Sequence, residues 1–241
     1  MGDGRRKVWF TVDVEPDCPP YLSGYRGVVR GIHRLLAVLD AAQIPATFFV
    51  TGDVARRFPS QVRDIVAAGH ELGCHGDLHG SYAAMGRAEA EADIRKAAAA
   101  LRAFAPVTVF RAPYLRFPPD YYDLLAENGF RVDASQAVYK RSFRANRAPL
   151  PLTCVATSVT SSVLRLPRWI RFFWLSSLSS PLVLFVHPWE FVDLRREKLR
   201  LDCRFRTGPA ALVCVREVID YLKHRHAVFF TGKDLNCVDP A

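Results

Sequence analysis

Short runs rich in β-branched and aromatic residues recur along the 241-residue chain, separated by longer stretches whose apolar positions repeat every three or four residues. The first pattern predicts buried strands and the second amphipathic helices. Strands are expected over 7–13, 46–51, 71–75, 107–111, 131–134, 163–166, 182–187 and 227–231. Helices are expected over 27–42, 59–68, 87–104, 118–128 and 209–223, the first with an apolar stripe of Val28, Ile32, Leu35, Leu36 and Leu39. Pro59, Pro118 and Pro209 each stand in the first turn of a helix, where a fixed φ helps and the missing N–H costs no bond. Strand and helix in alternation is the signature of βα units around a parallel sheet, so the expected class is α/β. No internal repeat or low-complexity linker interrupts the pattern, which predicts one domain over 1–241.

Composition narrows this only a little. Half of the residues are apolar, enough for a full core. The net charge of +9, from 33 Lys and Arg against 24 Asp and Glu, would suit a polyanion or an anionic membrane surface. The basic residues are scattered, however, with local clusters at Arg5, Arg6 and Lys7, at Arg195 and Arg196, and at Arg204 and Arg206. No nucleic-acid motif accompanies them, and no nucleic-acid partner is expected. The first residues run into a strand without an apolar signal segment, which predicts a cytoplasmic location. Six cysteines, Cys18, Cys74, Cys154, Cys203, Cys214 and Cys237, lie far apart with no Cys-x-x-Cys pair, so buried thiols are expected rather than a structural zinc knot. The stretch 164–175 mixes bulky aromatics with arginines. Arg168, Arg171 and Pro181 rule it out as a membrane span. It reads either as a barrel helix whose arginines reach out to solvent or as an interfacial segment giving peripheral membrane contact.

The candidate chemistry begins with His75 and His79. Four residues apart, they would share one face of a helical turn and present two metal ligands. A catalytic site also needs a third ligand, usually a carboxylate, and an open position for water. Asp13 and Glu15 follow the first strand and point the same way if that strand continues through them. One could hold metal while the other handles a proton. Arg111 follows the fourth predicted strand and His187 the seventh. All these residues fall at the carboxyl ends of strands, the rim where a βα barrel assembles its active site.

Read in order, these segments resemble the NodB-type polysaccharide deacetylase superfamily, carbohydrate esterase family 4-like, in its intracellular branch. The resemblance rests on Thr11-Val12-Asp13-Val14-Glu15, the run from Pro45 to Val50, and the run from Gly69 to His79. It continues through Arg111-Ala112-Pro113-Tyr114, Asp133, and the run from Leu184 to Glu190, and it covers the chain from about Lys7 to Leu235. It implies a distorted (β/α) barrel, often seven-stranded, and one divalent metal, zinc first, with cobalt, manganese or nickel as alternatives. By the same resemblance His75 and His79 are ligands, Glu15 is the third, and Asp13 is the catalytic base. Val14 separates the two acids, so Asp13 stands as the alternative ligand. Arg111 would hold Asp13 by a charge-assisted hydrogen bond, and the Tyr114 N–H would stabilise the oxyanion. His187 would be the general acid, with Asp133 orienting it, and Leu184 and Trp189 would wall the acyl pocket. His70 is expected to be structural, and Glu71 and Asp77 to make local hydrogen bonds. No Trp follows Asp133, where the chain reads Ala134-Ser135-Gln136-Ala137.

The expected function is therefore a metal-dependent hydrolase of non-peptide C–N bonds. It would remove an N-acyl group, foremost acetyl, from an amino sugar in a poly-, oligo- or lipid-linked saccharide. A deformylase or cyclic-amide hydrolase is the alternative within the superfamily. A metal phosphoesterase would want a two-metal cluster with more carboxylates and histidines, and a non-catalytic saccharide-binding protein would not need every residue of the hydrolytic set.

Overall fold

Strands that are apolar on both faces need cover on both faces, and the chain supplies it by curling a parallel sheet and surrounding it with helices. The structure, a computed structural model, describes residues 5–140 and 152–235. Its strands are β1 (Lys7–Val14), β2 (Thr47–Val50), β3 (Glu71–Cys74), β4 (Val109–Phe110), β5 (Val132–Ala137), β6 (Thr153–Thr157), β7 (Leu182–Val186) and β8 (Val228–Phe230). The sheet order is β6-β5-β4-β3-β2-β1-β7, all pairings are parallel, and β8 adds to β1. The seven-strand path nearly closes. Just past β6, the Ser158 N–H donates to Val183 O at 2.9 Å while the Ser158 hydroxyl accepts from the Val183 N–H at 2.9 Å. The result is the distorted barrel that the resemblance implies. β8 pairs with the first residues of β1, Lys7 to Trp9, whereas β2 pairs with its last, Thr11 to Val14.

Strand parity sorts the side chains into two layers. Trp9, Phe49, Val109, Val132, Ala134 and Val183 point inward and fill the lower barrel. Residues of the other parity, such as Phe10, Val12, Phe48, Cys74, Phe110 and Leu184, face outward into the larger core shared with the helices. Those helices are α1 (Ile32–Ala42), α2 (Gly52–Arg57), α3 (Pro59–Ala67), α4 (Arg87–Arg102), α5 (Tyr122–Glu127), α6 (Arg168–Ser177), α7 (Leu201–Arg204) and α8 (Pro209–His224).

Three local expectations change. The apolar run at 163–166 is not a strand but part of a 3₁₀ turn, Ser161–Arg165, begun by Thr160, whose hydroxyl accepts from the Ser162 N–H at 3.3 Å. A run as short as Val163-Leu164-Arg165-Leu166 carries no period that separates strand from buried turn, and the real strand, β6, reads Thr-Cys-Val-Ala-Thr. The helix expected over 27–42 opens with a widened π turn, Gly27–Gly31, before α1. A Cβ on Gly31 would lie 2.0 Å from Pro188 O and one on Gly27 2.4 Å from Trp189 N, so the bare backbone lets this turn rest on the segment after β7. Finally, of the three arginines in 164–175 only Arg168 reaches solvent: Arg165 is buried, and on α6 Arg171 is buried and pairs with Glu217, while Trp169 and Phe173 are exposed. Among the described residues no helix is long and apolar enough to cross a membrane.

Candidate active site

β1 runs through Val14, and its inward parity therefore stacks Trp9, Thr11, Asp13 and Glu15 from the barrel floor to its rim. His75, Arg111 and His187 each stand one residue beyond the strands β3, β4 and β7. Asp13, Glu15, His75, His79 and Arg111 are all buried.

The histidine pair does not sit on a helix, as its spacing suggests. His75 leaves β3 into a loop that turns through two left-handed residues, Gly76 (φ 72°) and His79 (φ 58°). Side chains replace helical bonding there. Asp77 pairs with Arg56 at 2.6 Å and Lys96 at 2.7 Å, and its N–H donates to Asp93 Oδ1 at 3.0 Å. The loop brings the two imidazole centroids to 5.2 Å. Glu71 accepts from the Thr47 hydroxyl and the Gly232 and Lys233 N–H groups, and His70 lies against Phe48, each a local structural contact.

One ligand atom each from Glu15, His75 and His79 lies within 4.8 Å of the others. Glu15 Oε2 is 2.6 Å from His79 Nε2 and 3.3 Å from His75 Nε2, and Glu15 Oε1 accepts from Trp189 Nε1 at 3.1 Å. His75 Nδ1 is 2.7 Å from Arg111 O. Donation to that carbonyl leaves the Nε2 lone pair facing Glu15, the tautomer a metal ligand needs. His79 Nδ1 is buried without a hydrogen-bond partner among the described residues. Burial opposes ionisation of Glu15. The neighbouring His79 and His187 outweigh it and hold the carboxyl well below the usual range. A carboxylate oxygen and two imidazole nitrogens make a donor set that suits one zinc or similar divalent ion. Among the described residues this is the one such cluster, which does not favour a two-metal phosphoesterase.

Asp13 is not part of that cluster. Its Oδ1 accepts from Arg111 Nη1 at 2.6 Å, and the same nitrogen donates to Thr11 Oγ1 at 2.7 Å. Arg111 also donates from Nε to Ala134 O at 3.2 Å, and its guanidinium lies 4.2 Å from the Phe49 ring centroid. The fully buried arginine is thus fixed from three strands, and it fixes Asp13 in turn.

His187 faces the cluster from the other side, its Nε2 3.7 Å from Glu15 Oε1. Its Nδ1 meets Glu190 Oε1 at 2.8 Å, and Arg165 Nε pairs with Glu190 Oε2 at 2.9 Å. Burial lowers the His187 pKa, but Glu15 and Glu190 push it up to about 9. Burial raises Glu190, yet Arg165 and His187 bring it below its ordinary value. The His187 ring stacks on Trp189 with centroids 4.6 Å apart.

Two expected site residues lie elsewhere, for the same reason. Val132 and Ala134 face the barrel interior, so Asp133 between them faces the helices. There its carboxylate accepts from the Ser135 N–H at 3.2 Å and from the Ser135 hydroxyl, and it does not orient His187. Leu184 likewise has the parity opposite to His187 and belongs to the outer core, while Phe185 lines the cleft. That cleft, about 270 Å³, is bounded by Asp13, Glu15, His75, His79, Tyr114, His187 and Trp189, with Lys140 and Arg165 at its sides. Tyr114 takes a positive φ of 60° and sets its ring edge-on to His79 at 4.8 Å. Glu190 and Arg165 are the functional candidates that residue-by-residue reading passes over. The His-x-x-Glu spacing is the available signal, since Glu190 also accepts the His187 N–H at 3.1 Å in a capping turn. Cys18, Cys74, Cys154, Cys203 and Cys214 are free thiols, three of them buried, and Cys237 lies outside the described residues.

Residues 2–132 match the family model described as polysaccharide deacetylase. A chitooligosaccharide deacetylase of Sinorhizobium fredii is 40% identical over 116 residues, 47% of this chain and 49% of the relative. A peptidoglycan deacetylase of Helicobacter pylori is 35% identical over 108 residues, 44% of this chain and 36% of the relative. A peptidoglycan deacetylase-like protein of Gibberella zeae is 30% identical over 185 residues, 67% of this chain and 54% of the relative. The matches thus span about half the length of these relatives or less. Among solved structures, a family 4 carbohydrate esterase from Streptomyces lividans, in complex with acetate, has a TM-score of 0.64 at 19% identity, covering 93% of this chain and 91% of that one. A family 4 pseudoenzyme from Bacillus anthracis has a TM-score of 0.68 at 14% identity, covering 97% and 66%. Both share the fold.

Proposed function

The chain belongs to the polysaccharide deacetylase family, and from that premise we propose that it hydrolyses the C–N bond of an N-acylated amino sugar, foremost releasing acetate. The observation that carries this reading is the convergence, on one barrel rim, of the Glu15/His75/His79 cluster with a held carboxylate on one side and a held imidazole on the other. Glu15, His75 and His79 would hold one divalent metal, zinc first. When bound, such an ion supplies Lewis acidity and lowers the pKa of water toward neutrality.

The chain's own residues supply the rest. Asp13, fixed by Arg111, takes the proton of the attacking water. The Tyr114 N–H donates to the oxygen on which negative charge develops. His187 gives its Nε2 proton to the departing nitrogen. Glu190 keeps the other ring nitrogen protonated and stabilises the imidazolium, and Arg165 keeps Glu190 ionised and in place. Phe185 and Trp189 exclude water from the acyl group. The relatives named above suggest chitooligosaccharide or peptidoglycan sugars, and a lipid-linked amino sugar would fit the same chemistry.

The test is acetate and formate release from N-acylated glucosamine oligomers, peptidoglycan fragments and lipid-linked amino sugars, with and without chelator. We expect release that chelation abolishes and Zn²⁺ or Co²⁺ restores. Undiminished turnover in excess chelator, or no release from any of these substrates by the zinc-loaded protein, would overturn the proposal.

A further inference from the structure

Helix α6 is built inside out. Its inward face carries Leu175 and the buried Arg171, which donates to Leu166 O and pairs with Glu217 on α8. Its outward side carries Trp169, 76% exposed, and Phe173, 71% exposed, four residues apart on one stripe, with Trp174, 48% exposed, about a quarter turn further round. A surface helix in water has the opposite arrangement, and clustered exposed aromatics mark a surface that is covered in use.

The surroundings say by what. The rim of this face is cationic. Exposed Arg168 lies over Phe172, Phe172 stacks on Tyr221, and exposed Arg225 lies over Tyr221. Arg6 donates to Leu178 O just beyond the end of α6. The nearby acid Glu217 is occupied by Arg171. The whole chain carries +9, so two copies meeting at this face would repel, whereas an anionic partner would be attracted. Tryptophans flanked by arginines match the headgroup layer of a bilayer, where the indole sits at the polar boundary and each cation adds attraction to anionic lipid.

We propose that the outer face of α6, through Trp169, Phe173 and Trp174 with Arg168 and Arg225 at its rim, docks this protein on an anionic lipid surface. The docking stands independently of the reaction proposed above. α6 begins three residues after Arg165, which lines the cleft, so the helix and the cleft wall are one continuous piece of chain.

The experiment is flotation with vesicles of phosphatidylcholine alone and of phosphatidylcholine with an equal part of phosphatidylglycerol. The wild-type chain should float with the anionic vesicles and be released by high salt. The triple variant Trp169→Ser, Phe173→Ser, Trp174→Ser should lose at least about tenfold in partitioning while keeping its melting temperature, because the three side chains leave no cavity. The double variant Arg168→Glu, Arg225→Glu should weaken binding with the aromatics intact. Equal flotation of wild type and triple variant would overturn the proposal. So would a wild type that ignores vesicles but forms a concentration-dependent dimer that the triple variant cannot form, which would make a second copy the occupant.

Discussion

His187 stands between two carboxylates with different tasks, Glu15 at 3.7 Å across the site and Glu190 at 2.8 Å behind the ring. Glu190 is the partner that a proton donor needs, because it touches the nitrogen that does not face the substrate. Both carboxylates raise the imidazole, so removing one lowers it and shifts loss of the acid form to lower pH. Glu190→Gln should therefore reduce kcat by about 10- to 100-fold with little change in KM or in zinc affinity, and move the alkaline limb of the pH–rate profile downward. An unchanged limb would return Glu190 to a purely structural turn. His75, His79, Glu15, Asp13, Arg111 and His187 are legible in the sequence because each stands at or just beyond a strand end in a run of recognisable spacing. Glu190 and Arg165 are less so, since Arg165 sits in a turn whose apolar neighbours Val163 and Leu164 mimic a strand. Asp133 shows the converse: a residue near the expected place in sequence, turned away by a single step of strand parity.

At the scale of elements, the turn that carries His187 and Glu190 is held from below by glycine. The π turn Gly27–Gly31 lies directly on Pro188 and Trp189, and Asp17 closes its start by accepting the Gly27 N–H at 2.8 Å and the Arg26 N–H at 2.9 Å. Gly31→Ala would set a methyl into the Pro188 carbonyl, so the post-β7 turn must move. Overpacking of this kind costs ~1–3 kcal/mol, and displacement of His187 should lower turnover more than the loss of stability accounts for. Chemical denaturation and kcat measured on the same preparation check this, and an alanine variant with wild-type turnover would show the contact to be inconsequential. The helix itself is legible from its apolar stripe, but its π start is not, because the cause lies in a segment more than 150 positions away. The short α2 and α7 go unseen for a simpler reason, being too brief to show a period.

Across the whole molecule, alternation predicts the parallel sheet and its helical cover, and the resemblance its barrel form, whereas stability has at least one term that neither reveals. Asp133 is fully buried, and desolvation raises it from 3.8 to about 6 despite the Ser135 hydrogen bonds and nearby Arg111. Its neutral form is the one favoured by folding. The contribution is thus fully present below about pH 4, declines as pH rises through about 6, and leaves a penalty of at most ~3 kcal/mol above it. Asp133→Asn should raise the melting temperature at pH 7.5 and leave it nearly unchanged at pH 4, and an equal shift at both would refute the linkage. One further consequence follows from the pairing of β1, whose flanks are taken by β2, β7 and β8, and whose Thr11 hydroxyl donates to Leu184 O across 173 positions. During synthesis this strand emerges long before two of its neighbours, carrying Asp13 and Glu15 with it. Asp13 finds its arginine only once the chain has passed β4, and chains arrested before β7 and β8 present an open strand edge to chaperones and to one another.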